Sequence, residues 1–512
     1  MWYQWVFPVG FPTEFNWIIT RVYLFVKGMA GSIIVYGTLP LFRSTFGLTG
    51  IQYQTYSTIA LLPWTMKPIM GAVVDTFPLW GYRKRFYVLG ALLLGCMAFG
   101  VLGLETTVYA TTVFLFLASF AIMVVDLVYE GEYSSLMAFH HGSTQMPAFV
   151  WSCVMLGSVF GASLVGPLGD QGDIRYVYPI ATLCLGQMVA SLIRQPLLSF
   201  SRDRVPKVKT DSLTDTILAS IDNVRRSVKP TPLTIQDWIL CSAMVGVSLL
   251  FLGLLFTSAA HPWVTVGLAI VCMLLLHTLA FFTFVRSTRP IEAARQRQLW
   301  TYNLFMFLVE ALYINISGVQ DFWYTADARC VPGGPAFSLT LYTTTVAVIS
   351  ALAGILASLL YTRTLRYWTF RSALQFAIVF QVTTAFTDIV IAKRWNQTHL
   401  GISDEWFFLL GDAVVSPIAS MLKLIPMGIL TSKIVEHGKE TMTYSLLAGF
   451  QNMGLVFSKI VGLALIASFE IQTTLPTCSF TFYPALIFLA HMISPMLAFC
   501  LAYLMTPDIS QL

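Results

Sequence analysis

Residues 61–86 read LLPWTMKPIMGAVVDTFPLWGYRKRF. An apolar run interrupted only by Lys67 ends at Asp75, and the basic triplet Arg83, Lys84 and Arg85 follows. A run closed by cations that stay in water marks the end of a membrane-crossing helix, on the side where Lys and Arg accumulate. Gly71 inside it lets a neighbouring helix come close. An acid at a helix end with cations just beyond it is able to latch two helices together. Gly71, Asp75, Arg83, Lys84 and Arg85 are therefore a candidate gate on the cytoplasmic face.

The rest of the chain has the same character. Of 512 residues, 56% are hydrophobic and 11% charged, whereas a soluble domain carries about 25% charged residues. So little charge cannot cover a water-facing surface, and lipid must solvate most of the chain. No basic tract suits a nucleic acid. The N-terminal stretch lacks a positive region and a small-residue cleavage site, so no cleaved signal peptide is expected.

Apolar runs of about 20 residues predict fourteen helices, over 17–42, 52–76, 86–104, 109–138, 147–168, 176–196, 238–257, 263–285, 299–320, 337–361, 370–392, 406–432, 442–468 and 481–505. With both termini in the cytosol, twenty of the 30 Lys and Arg fall in cytoplasmic segments, five outside and five within spans. That asymmetry supports the orientation. It places the sequon Asn396-Gln397-Thr398 outside, as a candidate glycan acceptor. Cys330 and Cys478 also fall in outer loops, where a disulfide between them is feasible.

The predicted architecture is all-α and polytopic, with two six-helix bundles of major facilitator type and two additional helices between them. Residues 1–198 form the first bundle, 199–237 a polar cytoplasmic linker with an amphipathic helix at 211–228, 238–298 the additional pair and its basic loop, and 299–512 the second bundle. Such halves are related by an axis along the membrane normal.

A charge at mid-bilayer costs at least about 2.5–3.5 kcal/mol, so it is normally functional or paired. In such a fold the first and fourth helices of each half line the cavity. Those helices hold Lys27, Asp126, Glu130, Glu310, Asp412 and Lys423, the candidate substrate- and proton-binding residues. Asp126 and Glu130 are four apart on one helix face. Two carboxylates that repel in a low-dielectric medium suit a proton carrier. A carboxylate also accepts hydrogen bonds from an amino-pyrimidinone edge, and Lys27 or Lys423 suits a carboxylate tail. Asp388, Lys67 and Lys459 lie on helices not expected to face the cavity and are assigned to packing. Gly157 and Gly161 form a G-x-x-x-G face for close helix contact. His140-His141 has no third ligand at suitable spacing. No phosphate loop, H-E-x-x-H or G-x-S-x-G is present, so neither metal, cofactor nor enzyme chemistry is expected.

Five stretches carry a family resemblance: PWTMKPIMGAVVDTFPLWGYRKRFY from 63, MVVDLVYEGEYSSLM from 123, CVPGGPAFS from 330, DIVIAKRWNQTHLGISDEWFFLLGDAVV from 388 and KETMTYSLLAGFQNMG from 439. Together they resemble the folate–biopterin transporter family, over most of the chain. Where other members carry basic residues after the fourth-helix acids, this chain has Glu130-Gly131-Glu132. The resemblance implies transport of pteridines such as folate or biopterin. The expected protein is a monomeric secondary transporter in the plasma membrane, with protons as the coupled ion on the strength of the acid pair. S-adenosylmethionine, a nucleoside or a peptide is the alternative cargo, and a solute-sensing receptor or an intramembrane transferase the alternative class.

Overall fold

The computed structural model describes residues 8, 11, 13–80, 82, 84–139, 145–194, 233–287, 289–434 and 440–508. Most of the linker, its expected amphipathic helix, His140-His141 and Arg83 lie outside the described residues.

Six helices precede the linker: α1 Thr13–Thr45, α2 Gly50–Thr76, α3 Arg85–Leu102, α4 Val108–Phe139, α5 Gln145–Gln171 and α6 Ile174–Ile193. After it come α7 Ile235–Thr257, α8 Pro262–Phe284, α9 Pro290–Ala311, α10 Thr340–Arg363, α11 Phe370–Ala392, α12 Asp404–Thr431, α13 Met442–Ser468 and α14 Tyr483–Met505. Thirteen of these are long and apolar enough to cross a membrane.

The exception is α9, and here the expected span 299–320 needs correction. The helix starts at Pro290 with the charged turn PIEAARQRQ and stops at Ala311, and a short helix, Ser317–Tyr324, follows the break. The break is filled from another helix. Gln54 of α2 is wholly buried. Its amide nitrogen donates to the carbonyls of Asn315 and Lys459, both at 3.0 Å, and its amide oxygen accepts from Gly318 N–H at 2.8 Å. One side chain thus satisfies backbone groups that a continuous helix would have paired internally, as burial requires.

The halves meet reciprocally. The fifth helix of the first half, α5, packs on the second of the other, α10, and α2 packs on α13. Asp170 at the end of α5 caps α10, accepting from the N–H groups of Leu339 and Thr340 at 2.8 and 2.9 Å. α7 and α8 pack together and against α2 and α13, outside this interface. Their common core contains Met244, Phe251, Met273 and Leu276 with Phe450 of α13.

Glycines set the closest approaches. A Cβ on Gly157 would sit 2.0 Å from the carbonyl oxygen of Leu24, and one on Gly161 2.4 Å from that of Met29. The G-x-x-x-G face therefore holds α5 against α1 within the first half.

Candidate functional site

Four ionic groups from three helices converge in the first half. Asp126 and Glu130 lie one turn apart on α4 and share a face. Lys27 Nζ is 2.8 Å from Asp126 Oδ1 and 3.6 Å from Glu130 Oε1. Lys67 Nζ is 2.8 Å from Asp126 Oδ2 and also binds Glu130 Oε2. Each lysine is delivered by a local irregularity. From Val22 to Ala30 α1 winds in wide π-type turns, a feature often found at functional sites. In α2 a tight 3-10 segment, Leu62–Met66, which contains Pro63, precedes Lys67, and Pro68 follows it. The aromatic rings of Trp151, Trp64 and Tyr23 lie 5.1, 5.5 and 5.6 Å from Lys27 Nζ, in cation–π range.

Lys67, expected to serve packing, pairs across helices with the same two acids that hold Lys27. The four charges sum to zero. Two ammonium groups thus face the two neighbouring carboxylates.

A cavity of about 600 Å³ opens between the halves, walled by Lys27, Trp64, Trp151, Asp412, Asn452 and Lys459. Its size is that of a small-molecule pocket. A second chamber of about 290 Å³ adjoins it, with Tyr53, Asn315, Asp321 and Tyr342 in its wall. Asp412 and Lys459 line both. Of the six candidate binding residues, Lys27 and Asp412 therefore reach the cavity. Asp126 and Glu130 stand behind Lys27, among its ion-pair partners. Glu310 and Lys423 pair with one another at 3.0 Å, and Gln451 Nε2 donates to Glu310 Oε1 at 3.0 Å. Lys423 is thereby already matched with an anion.

Lys459 and Asp321 were not legible as site residues. Lys459 sits on the thirteenth span, assigned to packing, and Asp321 falls one residue beyond the predicted end of the ninth. Asp321 accepts from the hydroxyls of Tyr53 and Tyr342, both at 2.7 Å. Asp388 is held by Tyr324 at 2.6 Å. Among the described residues none of Asp321, Asp388 and Asp412 forms an ion pair.

The two ends of the bundle are bridged differently. At the end bearing residues 77–84, Asp75 accepts from the N–H of Met442 at the start of α13 at 3.2 Å, and Lys84 pairs with Glu132 at 2.6 Å. Arg85 reaches the Leu192 carbonyl at 3.4 Å, and Gly71 is buried. The opposite end is bridged by Tyr53 to Asp321, Gln54 to the α9 break, and Arg43 to the Thr325 carbonyl at 2.6 Å. Cys330 and Cys478 form a disulfide there, with Cα atoms 5.4 Å apart.

Asn396 is a correction. Its side chain is wholly buried, and Nδ2 donates to the Ile402 carbonyl at 3.1 Å and to Asp404 Oδ1 at 2.7 Å. That nitrogen is committed to fixing the loop before α12, with no room for a glycan.

The sequence profile of the BT1 family matches residues 27–511. The chain is 24% identical over 469 residues to the probable folate-biopterin transporter 6 of Arabidopsis thaliana, covering 89% of this chain and 77% of the relative. It is 22% identical over 428 residues to the folate-biopterin transporter of Synechocystis, covering 82% and 68%. Among solved structures it superposes on a POT family transporter crystallised with 5-aminolevulinic acid, with a TM-score of 0.64 at 12% identity over 97% of this chain and 96% of that one. It also superposes on the human organic anion transporter MFSD10, with a TM-score of 0.56 at 11% identity over 97% and 100%. Likeness at such identities establishes the fold, which is of major facilitator type. With two halves facing a central cavity, and a family match running along nearly its whole length, the chain belongs to the BT1 family and is a multi-pass membrane transporter of small-molecule solutes.

Proposed function

We propose that this protein carries pteridine-type solutes by alternating access, coupled to protons, as a monomer in the plasma membrane with both termini in the cytosol. The observation that carries the pteridine reading is the cavity wall that holds both Trp64 and Trp151 within 5.5 Å of Lys27 Nζ. Indole faces bind flat heteroaromatic rings by offset stacking. Lys27, held by Asp126 and Glu130, adds positive charge beside the rings, where the carbonyl and ring-nitrogen acceptors of a pterin edge would lie. The relatives named for folate and biopterin point the same way. Proton coupling is supported by the excess of buried acid in the second half, where Asp321, Asp388 and Asp412 have no ion-pair partner among the described residues. The uneven division of Lys and Arg supports the orientation.

Uptake of labelled folate, biopterin and S-adenosylmethionine into transport-deficient cells, compared at two external pH values, tests the reading. Saturable folate or biopterin uptake that rises at acid pH and falls in Trp64→Ala and Trp151→Ala is expected. Uptake of S-adenosylmethionine alone would overturn the pteridine reading.

A further inference from the structure

The membrane-embedded lysines differ in one respect. Lys27, Lys67 and Lys423 each have a carboxylate within 3.1 Å. Lys459 has none. It is 7% exposed, it lines both chambers, and among the described residues its ammonium group makes neither a hydrogen bond nor an ion pair. Asp321 and Asp412 line the same chamber, and Asp321 acts on Lys459 only through its field. An ammonium without a direct partner in a low-dielectric surrounding is costly, and a ligand anion is able to supply that contact.

The neighbours explain why Lys459 stays open. Its own backbone is pinned, since its carbonyl accepts from Gln54 Nε2 at 3.0 Å. Asp321, the acid across the smaller chamber, is engaged by two tyrosine hydroxyls. Asp412 shares the chamber walls yet stays beyond ion-pair distance. The groups able to serve a carboxylate tail therefore reduce to one. Lys27 is gripped by two acids and Lys423 by Glu310, so a tail on either would have to displace a buried partner.

We propose that Lys459 anchors an anionic group of the solute, with the aromatic portion at Trp64 and Trp151 and a carboxylate reaching to the junction of the two chambers. The solute class is accordingly a flat heteroaromatic ring bearing a carboxylate arm, folate-like rather than biopterin-like. This deepens the pteridine reading and rests on it for the ring, but not for the arm. Asn315 and Ser317, in the wall beside Lys459, supply further polar groups at that end.

Binding to the purified full-length protein in detergent tests the assignment, with folate, biopterin and p-aminobenzoylglutamate as probes. The last carries the carboxylates without the pterin. In Lys459→Gln we expect folate and p-aminobenzoylglutamate affinity to fall about tenfold or more, as for loss of a charge-assisted bond, and biopterin affinity to stay unchanged. Lys459→Arg should restore most of the loss, which a merely misfolded protein would not allow. Unchanged carboxylate binding in Lys459→Gln overturns the assignment, as does an equal loss for biopterin. If the unsubstituted protein binds neither pterin, the pteridine reading fails, and the arm is judged on p-aminobenzoylglutamate alone. Its loss in Lys459→Gln then supports the anchor, and its failure to bind the unsubstituted protein overturns it.

Discussion

Lys27 and Lys67, from different helices, grip opposite oxygens of the same carboxylate: each ammonium nitrogen is 2.8 Å from Asp126, one at Oδ1 and the other at Oδ2. Glu130 closes the ring. A balanced buried cluster contributes little net stability, but removing one member leaves an uncompensated charge. Lys67→Met is therefore expected to destabilise the protein by about 3–5 kcal/mol. Lys67→Met/Glu130→Gln, which restores the balance, should recover much of that. Thermal unfolding of the two variants in detergent checks this, and equal instability of both would show that charge balance is not what holds the site.

Gly50 and Gly318 bring the halves into backbone contact at the end that carries the disulfide. A Cβ on Gly50 would lie 1.8 Å from the Gly318 carbonyl oxygen. Both neighbours are main chain, so the closed arrangement has nowhere to yield. Gly50→Ala is expected to shift the population away from closure at that end. A penalty of about 1.4 kcal/mol is enough for a tenfold shift. Modification of a cysteine introduced at Ser57, in the smaller chamber, by a water-soluble maleimide should then be about tenfold faster than in the parent. An unchanged rate would mean that this contact does not govern access.

Asn396 should carry no glycan. Treatment with an amidase that removes N-linked sugars is expected to leave the mass of the protein unchanged. Asn396→Ala removes two hydrogen bonds from a buried amide, one of them to the Asp404 carboxylate. Asp404 keeps Arg394 and Gln397 at its other oxygen, so a loss of about 1 kcal/mol is expected. A mass decrease on deglycosylation, lost in Asn396→Ala, would contradict this.

Six cysteines are free and two are bonded. Alkylation of the denatured protein without reductant should modify Cys96, Cys153, Cys184, Cys241, Cys272 and Cys500, and leave Cys330 and Cys478 untouched until a reductant is added. Mass spectrometry of the corresponding peptides decides it. Substituting either bonded cysteine by Ser should expose the other to alkylation.

The orientation has its own test. A tag at Leu512 is expected to stay inaccessible to antibody in intact cells and to become reactive on permeabilisation. Labelling from outside would invert the placement of every loop, the disulfide included.

How much was legible in the sequence follows from how each feature is made. The spans were readable because transfer into lipid is decided locally, by the length and apolarity of each run and by the cations that close it. The predicted 370–392 coincides with α11, Phe370–Ala392, and most other limits differ by a few residues. The pairing of helices into two halves was also readable, from the order of spans around the linker. The break after α9 was not, because Gln54 makes it from another helix, and no local run of residues records that contact.

The same distinction governs the site. Charge within an apolar run marked Lys27, Lys67, Asp126, Glu130, Glu310, Asp388, Asp412, Lys423 and Lys459 as unusual, because the cost of a buried charge depends on the medium alone. Which of them neutralise one another depends on atoms within about 4 Å across different helices. Only the tertiary structure decided that Lys67 belongs to Asp126 and Glu130, that Lys423 belongs to Glu310, and that Lys459 faces the cavity without a partner. A side chain's identity states its charge. Whether that charge is satisfied is a property of the fold around it.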